Sequence, residues 1–377
     1  MPKQVIVQSS IEAVDIIHTP IPDPQAREVI IQVKVSGTNP KDWKYPLWKN
    51  NSHNSGDDIA GIVYSVGKDV YEFKTGDRVA AFHEVGTKNG SFAEYAVAPD
   101  WTTFHLPHNV SFEEAATIPL ASLTAAIALF VDMKLPALYM LKEPADSGEE
   151  KVPILIYGVT SAVGAFAAKY SRLSGFSPII GIAGRAQEFA KTLADYVIDY
   201  RDGEDVLVAA VEEVLAKERL SSKVPNVFDA ISENGTLETT LRFLDPNGGT
   251  ISTALPTRLF ARDKGNFKYP PGVKAYNSAV VQVHSIHKDF GYIWSRYLGR
   301  LLEDGRLKGH PFEVIPGGLQ NLKNEKASGS KYIYRIEDTE DASFMDALSG
   351  QGAGGQSLKS QSRENSHPMK DFPFPSR

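Results

Sequence analysis

Apolar residues recur along this 377-residue chain with two different periods, and the change between them marks its organisation. Val29, Ile31, Val33 and Val35 alternate with polar positions, the period of a strand with one buried face. Ile59–Val66, Arg78–Phe82 and Phe92–Val97 repeat the theme, parted by Gly67-Lys68-Asp69, Thr75-Gly76-Asp77 and Lys88-Asn89-Gly90. Short strands with such turns predict a small β-rich barrel. From Phe112 to about Lys134 the spacing becomes helical. Its apolar run Ile118–Val131 contains Ser122 and Thr124, which predicts a buried helix rather than a membrane span.

After Ile154 strands and helices alternate. Ile154–Tyr157 is a short apolar run of the kind buried in a parallel sheet. Gly158 breaks it, Val159-Thr160-Ser161 turns the chain, and Ala162–Tyr170 carries apolar residues at helical spacing. A second apolar strand, Pro178–Ile182, runs into Ala183-Gly184-Arg185. Strand, glycine turn, helix and strand predict a βαβ unit whose helix N-terminus presents free N–H groups to a pyrophosphate. Further on, a strand near Gly249–Ala254 reads as the outer edge of this sheet, open to pairing, so a monomer or homodimer is expected. The strand pattern returns from Ala279. A helix follows over Asp289–Asp304, with Phe290, Ile293, Tyr297 and Leu301 as its core stripe, and Lys331–Ile336 closes as a strand. Beyond Ser343 the Gly/Ser/Gln-rich composition predicts a disordered tail. Its Asp371–Pro375 segment could dock as a peptide.

Chemistry narrows the reading. The glycines at 158 and 164 are six apart, with Ser161 where a strict G-x-G-x-x-G has its middle glycine; alone they are also compatible with any tight turn. At the end of the second strand an NAD site wants an acid. This chain offers Gly184 and Arg185, with no acid before Glu188 in the next helix. A guanidinium suits a 2′-phosphate, so NADPH is expected over NADH; the plainer role for Arg185 is a solvated helix-start charge. Net charge is −6, which gives no electrostatic footprint for nucleic acid. With no cysteine there is neither a disulfide nor a Cys-based zinc site, and the nine histidines compose no metal site. The start MPKQVIVQ is unlike a secretory signal, so a cytoplasmic protein is expected.

Five segments in order carry a family resemblance: Gly37–Lys44 (GTNPKDWK), Gly56–Gly61 (GDDIAG), Gly76–Val79 (GDRV), Gly90–Tyr95 (GSFAEY) and Ala115–Pro119 (AATIP). Over roughly residues 1–336 the chain resembles the medium-chain dehydrogenase/reductase superfamily. Zinc-bearing members carry Gly-His-Glu where Gly56-Asp57-Asp58 stands, so the resemblance is to the zinc-independent, quinone-oxidoreductase-like branch. Within it, Asn39-Pro40-x-Asp42-x-Lys44 and the run Thr124–Leu129 look most like the trans-acting enoyl reductases of polyketide synthesis.

The resemblance implies an α/β fold: a GroES-like β-rich barrel (1–125), a Rossmann-type doubly wound parallel sheet (126–275), a return segment (276–342) and the tail (343–377). It implies hydride transfer from NADPH to an activated C=C of a small-molecule or carrier-bound acyl substrate, with an acyl carrier protein or synthase as partner. Gly158, Thr160, Ser161, Ala162, Val163 and Gly164 would hold the pyrophosphate. Gly184 and Arg185 would meet the 2′-phosphate, and Tyr200 the adenosine. Lys41, Asp42, Trp43 and Lys44 would line the cofactor from the barrel side. Lys44 and Thr124 are the candidate donors to the substrate carbonyl; otherwise Lys44 is a solvent-facing lysine and Thr124 a helix threonine bonding its own backbone. A quinone oxidoreductase and a non-catalytic NADPH-binding regulator remain the alternatives. The resemblance also marks residues 319–330 as shorter than the helical segment that members carry before the last strand.

Overall fold

The alternating segments of the first third become strands of antiparallel sheets. The computed structural model describes residues 1–11, 13–138, 151–322 and 329–339; the tail beyond 343 and residues 323–328 of the shortened stretch lie outside the described residues. The chain begins with a two-stranded antiparallel pair, β1 (Lys3–Val7) and β2 (Val14–His18). Then come β3 (Glu28–Gly37), helix α1 (Lys41–Lys49), β4 (Asp58–Val66), β5 (Arg78–Phe82), β6 (Tyr95–Pro99), β7 (Thr103–His105) and the short α2 (Phe112–Ala115). Val29, Ile31 and Val33 of β3 turn inward beside Val5, Trp43, Ile59, Val79 and Phe92, and these side chains form one core.

From α3 (Pro119–Ala126) onward the pattern changes. β8 (Ile154–Tyr157), α4 (Ala162–Leu173), β9 (Ile179–Ala183), α5 (Gln187–Lys191), β10 (Tyr196–Asp199), α6 (Glu204–Lys217) and β11 (Asn226–Asp229) follow. The series continues through α7 (Thr236–Leu241), β12 (Thr250–Thr253), α8 (Thr257–Phe260), β13 (Lys274–Asn277) and α9 (Lys288–Glu303). The strands are all parallel, in the order β10-β9-β8-β11-β12-β13. This is the doubly wound arrangement, with the reversal between β8 and β11, where ligands bind beyond the strands' carboxyl ends. The last strands, β14 (Phe312–Val314) and β15 (Lys331–Arg335), rejoin the first sheet, whose order is β14-β15-β3-β4-β5-β7 with β6 also on β3.

Among the described residues, two compact units result: 1–116 with 313–322 and 332–339, and 117–312 with 329–331. The divisions fall at 116/117 and 312/313, against 125/126 and 275/276 read from the sequence, and packing gives the reason. Every residue of α3 is buried, and Ser122 Oγ meets the Tyr170 hydroxyl of α4 at 2.5 Å. Trp294 of α9 stands edge-on to the same tyrosine ring at 5.2 Å. Both helices therefore belong with the parallel sheet.

Four local expectations change. The helical stretch 112–134 is broken before Pro119, which lacks an N–H and starts a new helix, and it ends in a π-helical turn over Ile127–Asp132. The run after Ala279 is a 3₁₀ turn, Val280–His284, that docks Val283 against Gly291 of α9. The inner face of α9 is Gly291, Trp294, Leu298 and Leu301, while Ile293 is 54% exposed. Finally, β12 is covered by β13, so the sheet edge is Lys274–Asn277, a segment too polar to read as a strand. No helix among the described residues is long and apolar enough to cross a membrane.

Candidate functional site

The turn after β8 is built as the glycine spacing requires. Gly158 adopts φ +74°, a backbone conformation that side-chain-bearing residues rarely take. A Cβ on Gly164 would stand 2.2 Å from the Gly158 carbonyl oxygen, so only glycine lets the first turn of α4 approach the strand end. Ser161 caps α4 by accepting the Gly164 N–H at 3.0 Å. That leaves the N–H groups of Ala162 and Val163 with no carbonyl one turn back, at the positive end of a twelve-residue helix. Thr160 is nearly buried at the lip of the turn. This cradle fits a pyrophosphate, and Ser161 serves it by ordering the helix end. Gly164→Ala is expected to destabilise the protein by about 1–3 kcal/mol through overpacking and to weaken dinucleotide binding; thermal unfolding and a nucleotide titration check both.

At the end of β9, Arg185 is exposed. Tyr200 packs its ring against Gly184, where a Cβ would lie 2.8 Å from the ring, and tilts beside Tyr157 at 6.2 Å between centroids. The acid that the local sequence lacks after β9 comes from the neighbouring strand. Asp199, the last residue of β10, is in register with Ala183 of β9. Its carboxylate accepts from the Arg201 side chain at 2.6 and 2.9 Å, from the Arg201 backbone N–H at 2.9 Å and from Gln187 Nε2 at 3.3 Å. Gln187 also bonds the Gly184 carbonyl at 2.7 Å. The hydrogen bonds from Arg201 hold the Asp199 carboxyl down to about 2.

Across the reversal, Asp229 ends β11 and is fully buried. It accepts from the N–H groups of Ile231 and Ser232 at 3.0 and 2.8 Å and from Thr236 Oγ1 at 2.6 Å, which orders the loop between β11 and α7. Burial raises its carboxyl to about 6, against the pull of these donors. An aspartate at the end of an apolar strand is the only sequence signal for it.

In the other unit, α1 holds the segment 41–44. Pro46 has no N–H for the Asp42 carbonyl, and Ser55 Oγ donates to that carbonyl instead, at 2.8 Å. The Asp42 carboxylate accepts the Asn39 N–H at 2.7 Å, and Asn39 Nδ2 reaches Asp58 at 2.7 Å. Lys41 turns its ammonium inward, onto the carboxylates of Asp42 (3.1 Å) and Asp57 and the Ser55 carbonyl. Burial raises the carboxyls of both Asp42 and Asp57, and the ammonium pulls them back. Trp43 is in the core. Of the four residues expected to line a cofactor, Lys41, Asp42 and Trp43 are thus committed to the inside of their own unit. Lys44 is half-buried, its ammonium 5.8 Å from the centre of the Trp48 ring. Asp57 is thus paired electrostatically with Lys41. No local pattern in the sequence announces this pairing. Thr124, in α3, donates its single hydroxyl hydrogen to the Leu120 carbonyl at 2.7 Å, the backbone bond that was the alternative to a donor role.

Comparison with known proteins places these features. Residues 25–108 match the alcohol dehydrogenase GroES-like domain. The chain is 40% identical over 311 residues to the trans-enoyl reductase fsr4 of Gibberella fujikuroi, covering 81% of this chain and 88% of that protein. To the trans-enoyl reductase ACTTS2 of Alternaria alternata it is 31% identical over 354 residues, 89% of this chain and 99% of the other. Among solved structures, CurK enoyl reductase superposes with a TM-score of 0.68 at 20% identity, over 88% of this chain and 98% of its own. A putative zinc-dependent alcohol dehydrogenase protein of Rhizobium etli gives a TM-score of 0.72 at 23% identity, over 89% and 98%.

Proposed function

The chain belongs to the trans-enoyl reductases of the medium-chain dehydrogenase/reductase superfamily, and on that premise we propose that it reduces the C=C bond of an α,β-unsaturated acyl thioester with NADPH, on a substrate presented by a polyketide synthase or its acyl carrier protein. The observation that carries this reading is the 40% identity to a trans-enoyl reductase over 88% of that protein's length. The Gly158–Gly164 cradle and the exposed Arg185 support it independently.

When bound, the nicotinamide supplies the hydride. The protein's own groups bind, orient and stabilise charge. The N–H groups of Ala162 and Val163 would hold the pyrophosphate, Arg185 the 2′-phosphate and Tyr200 the adenosine. As hydride reaches the β-carbon, negative charge grows on the thioester carbonyl oxygen. A donor already aimed there stabilises the transition state more than the ground state. We assign that donation to Lys44, whose ammonium is a three-donor group, rather than to Thr124, which donates its one hydrogen to Leu120. Water supplies the proton that completes the α-carbon.

The test follows NADPH consumption by absorbance with an α,β-unsaturated thioester and with a small quinone, using NADH as control. Thioester turnover with NADPH is the expected result. Turnover of the quinone alone would make the protein a quinone oxidoreductase. Tight NADPH binding with no turnover of either would leave a non-catalytic regulator.

A further inference from the structure

Asp199 and Arg201 stand at the point where a dinucleotide-binding sheet meets the adenosine ribose. In such folds that ribose lies beyond the second strand of the βαβ unit, and an acid there takes its hydroxyls in NAD-using proteins. Here the second strand, β9, ends at Ala183 and contributes no acid. The parallel pairing of β10 with β9 sets Asp199 directly beside Ala183, and Gln187 links the Asp199 carboxylate to the Gly184 carbonyl. A carboxylate therefore stands at the ribose end after all. Left bare, it would accept from ribose hydroxyls and repel a 2′-phosphate.

It is not bare. The Arg201 guanidinium grips both carboxylate oxygens, and its backbone N–H adds a third bond. Tyr200, between the two, packs on Gly184. Arg185 brings a second guanidinium to this end, and Asp202, next in the chain, adds a second acid beside Arg201.

We propose that the Asp199–Arg201 pair sets coenzyme selectivity: Arg201 masks a latent NADH-type carboxylate, and the site favours the 2′-phosphate only while the mask is in place. Arg185 then faces the phosphate without an opposing bare acid. The proposal deepens the NADPH reading and rests on it. It adds two residues which that reading did not use, one of which, Asp199, favours the other coenzyme when unmasked. The pair is exposed on the guanidinium side, with Arg201 side-chain exposure of 51% against 21% for Asp199, so the mask lies between the carboxylate and solvent.

Equilibrium binding of NADPH and NADH, read by nucleotide fluorescence, tests this without any acceptor substrate. The proteins are the wild type, Arg201→Ala, Asp199→Asn and the double variant, each checked for an unchanged melting temperature. The wild type is expected to bind NADPH more tightly. Arg201→Ala should lower the NADPH-over-NADH affinity ratio about 10–100-fold, the scale of a charge-assisted contact. Asp199→Asn should keep or raise the ratio. The double variant should recover most of what Arg201→Ala loses, because no carboxylate is left to unmask. A ratio unchanged in Arg201→Ala, with the wild type still preferring NADPH, would overturn the proposal and leave the NADPH reading intact. So would a double variant as poor as Arg201→Ala, since Arg201 would then act as a direct phosphate ligand and not as a mask. A wild type that prefers NADH would instead sink the NADPH reading itself. If Arg201→Ala fails to fold, Arg201→Gln and Arg201→Lys in the same titration decide the matter, with Lys expected to retain more of the ratio than Gln.

Discussion

Lys44→Ala is expected to lower kcat for thioester reduction about 10²–10³-fold, equivalent to about 3–4 kcal/mol of lost transition-state stabilisation, the scale measured for a single oxyanion donor. The geometry makes the variant informative. Lys44 is half-buried on α1, a helix whose first turn is tied to the segment 55–58 by Lys41, Asn39 and Ser55. Those ties are made by other residues and persist when Lys44 is truncated. The melting temperature should move little and NADPH affinity should hold. Lys44→Arg, which keeps donors but changes their position and length, should recover only part of the rate. A kcat within a few-fold of wild type would remove Lys44 from the mechanism and return it to the role of a surface lysine.

Lys41→Met should act in the opposite manner, through stability. Asp42, Asp57 and Asp58 are each at most 1% exposed, and Lys41 is the ammonium that faces the first two. Removing one partner of a buried ion pair strands the other charge, at a cost of about 3–5 kcal/mol. The pH dependence gives the signature. Burial by itself lowers the Lys41 pKa, but the Asp57 and Asp42 carboxylates together raise it, so the pairing is present below the ordinary lysine value and is lost as pH rises through the folded one. The two carboxyls are already raised by burial despite Lys41, and without it they rise further. A raised carboxyl favours folding while it is protonated and opposes it once pH climbs past its unfolded value. The loss in Lys41→Met should therefore be smaller near about pH 5 than near about pH 8. Adding Asp57→Asn to Lys41→Met should restore part of the stability. Denaturant unfolding at the two pH values checks both statements, and equal losses at each would show that the charge is not what matters.

The cradle at 158–164 was legible in the sequence because every contact that makes it is local. An apolar run of four residues, a glycine, a serine cap three positions before the N–H it accepts and a small-residue helix lie within twenty positions, and each acts on its neighbours. The strands β3, β4 and β5 were legible for a similar reason: one buried face imposes alternation on the chain itself. The same rule explains what was missed. β13 is polar, and its neighbour β12, with hydrogen-bonding groups to satisfy, supplies the reason for it to be extended. The inner stripe of α9 is displaced from its most apolar sequence positions because Gly291 and Trp294 fit what the helix packs on.

By itself the sequence determined the family segments, the βαβ unit, the glycine turn and the absence of cysteine ligands, all of which are properties of residues and their near neighbours. Only the tertiary structure decided the charge arrangement. Strand pairing put Asp199 of β10 beside the end of β9, sixteen residues back in the chain, and so brought an acid to a place where local reading found none. The approach of α1 to the start of β4 turned Lys41 into the counter-ion of Asp57, again sixteen positions away, and left Lys44 as the lysine of that segment assigned to chemistry. Electrostatic partners are chosen by proximity in space, and proximity is set by how sheets and helices pack.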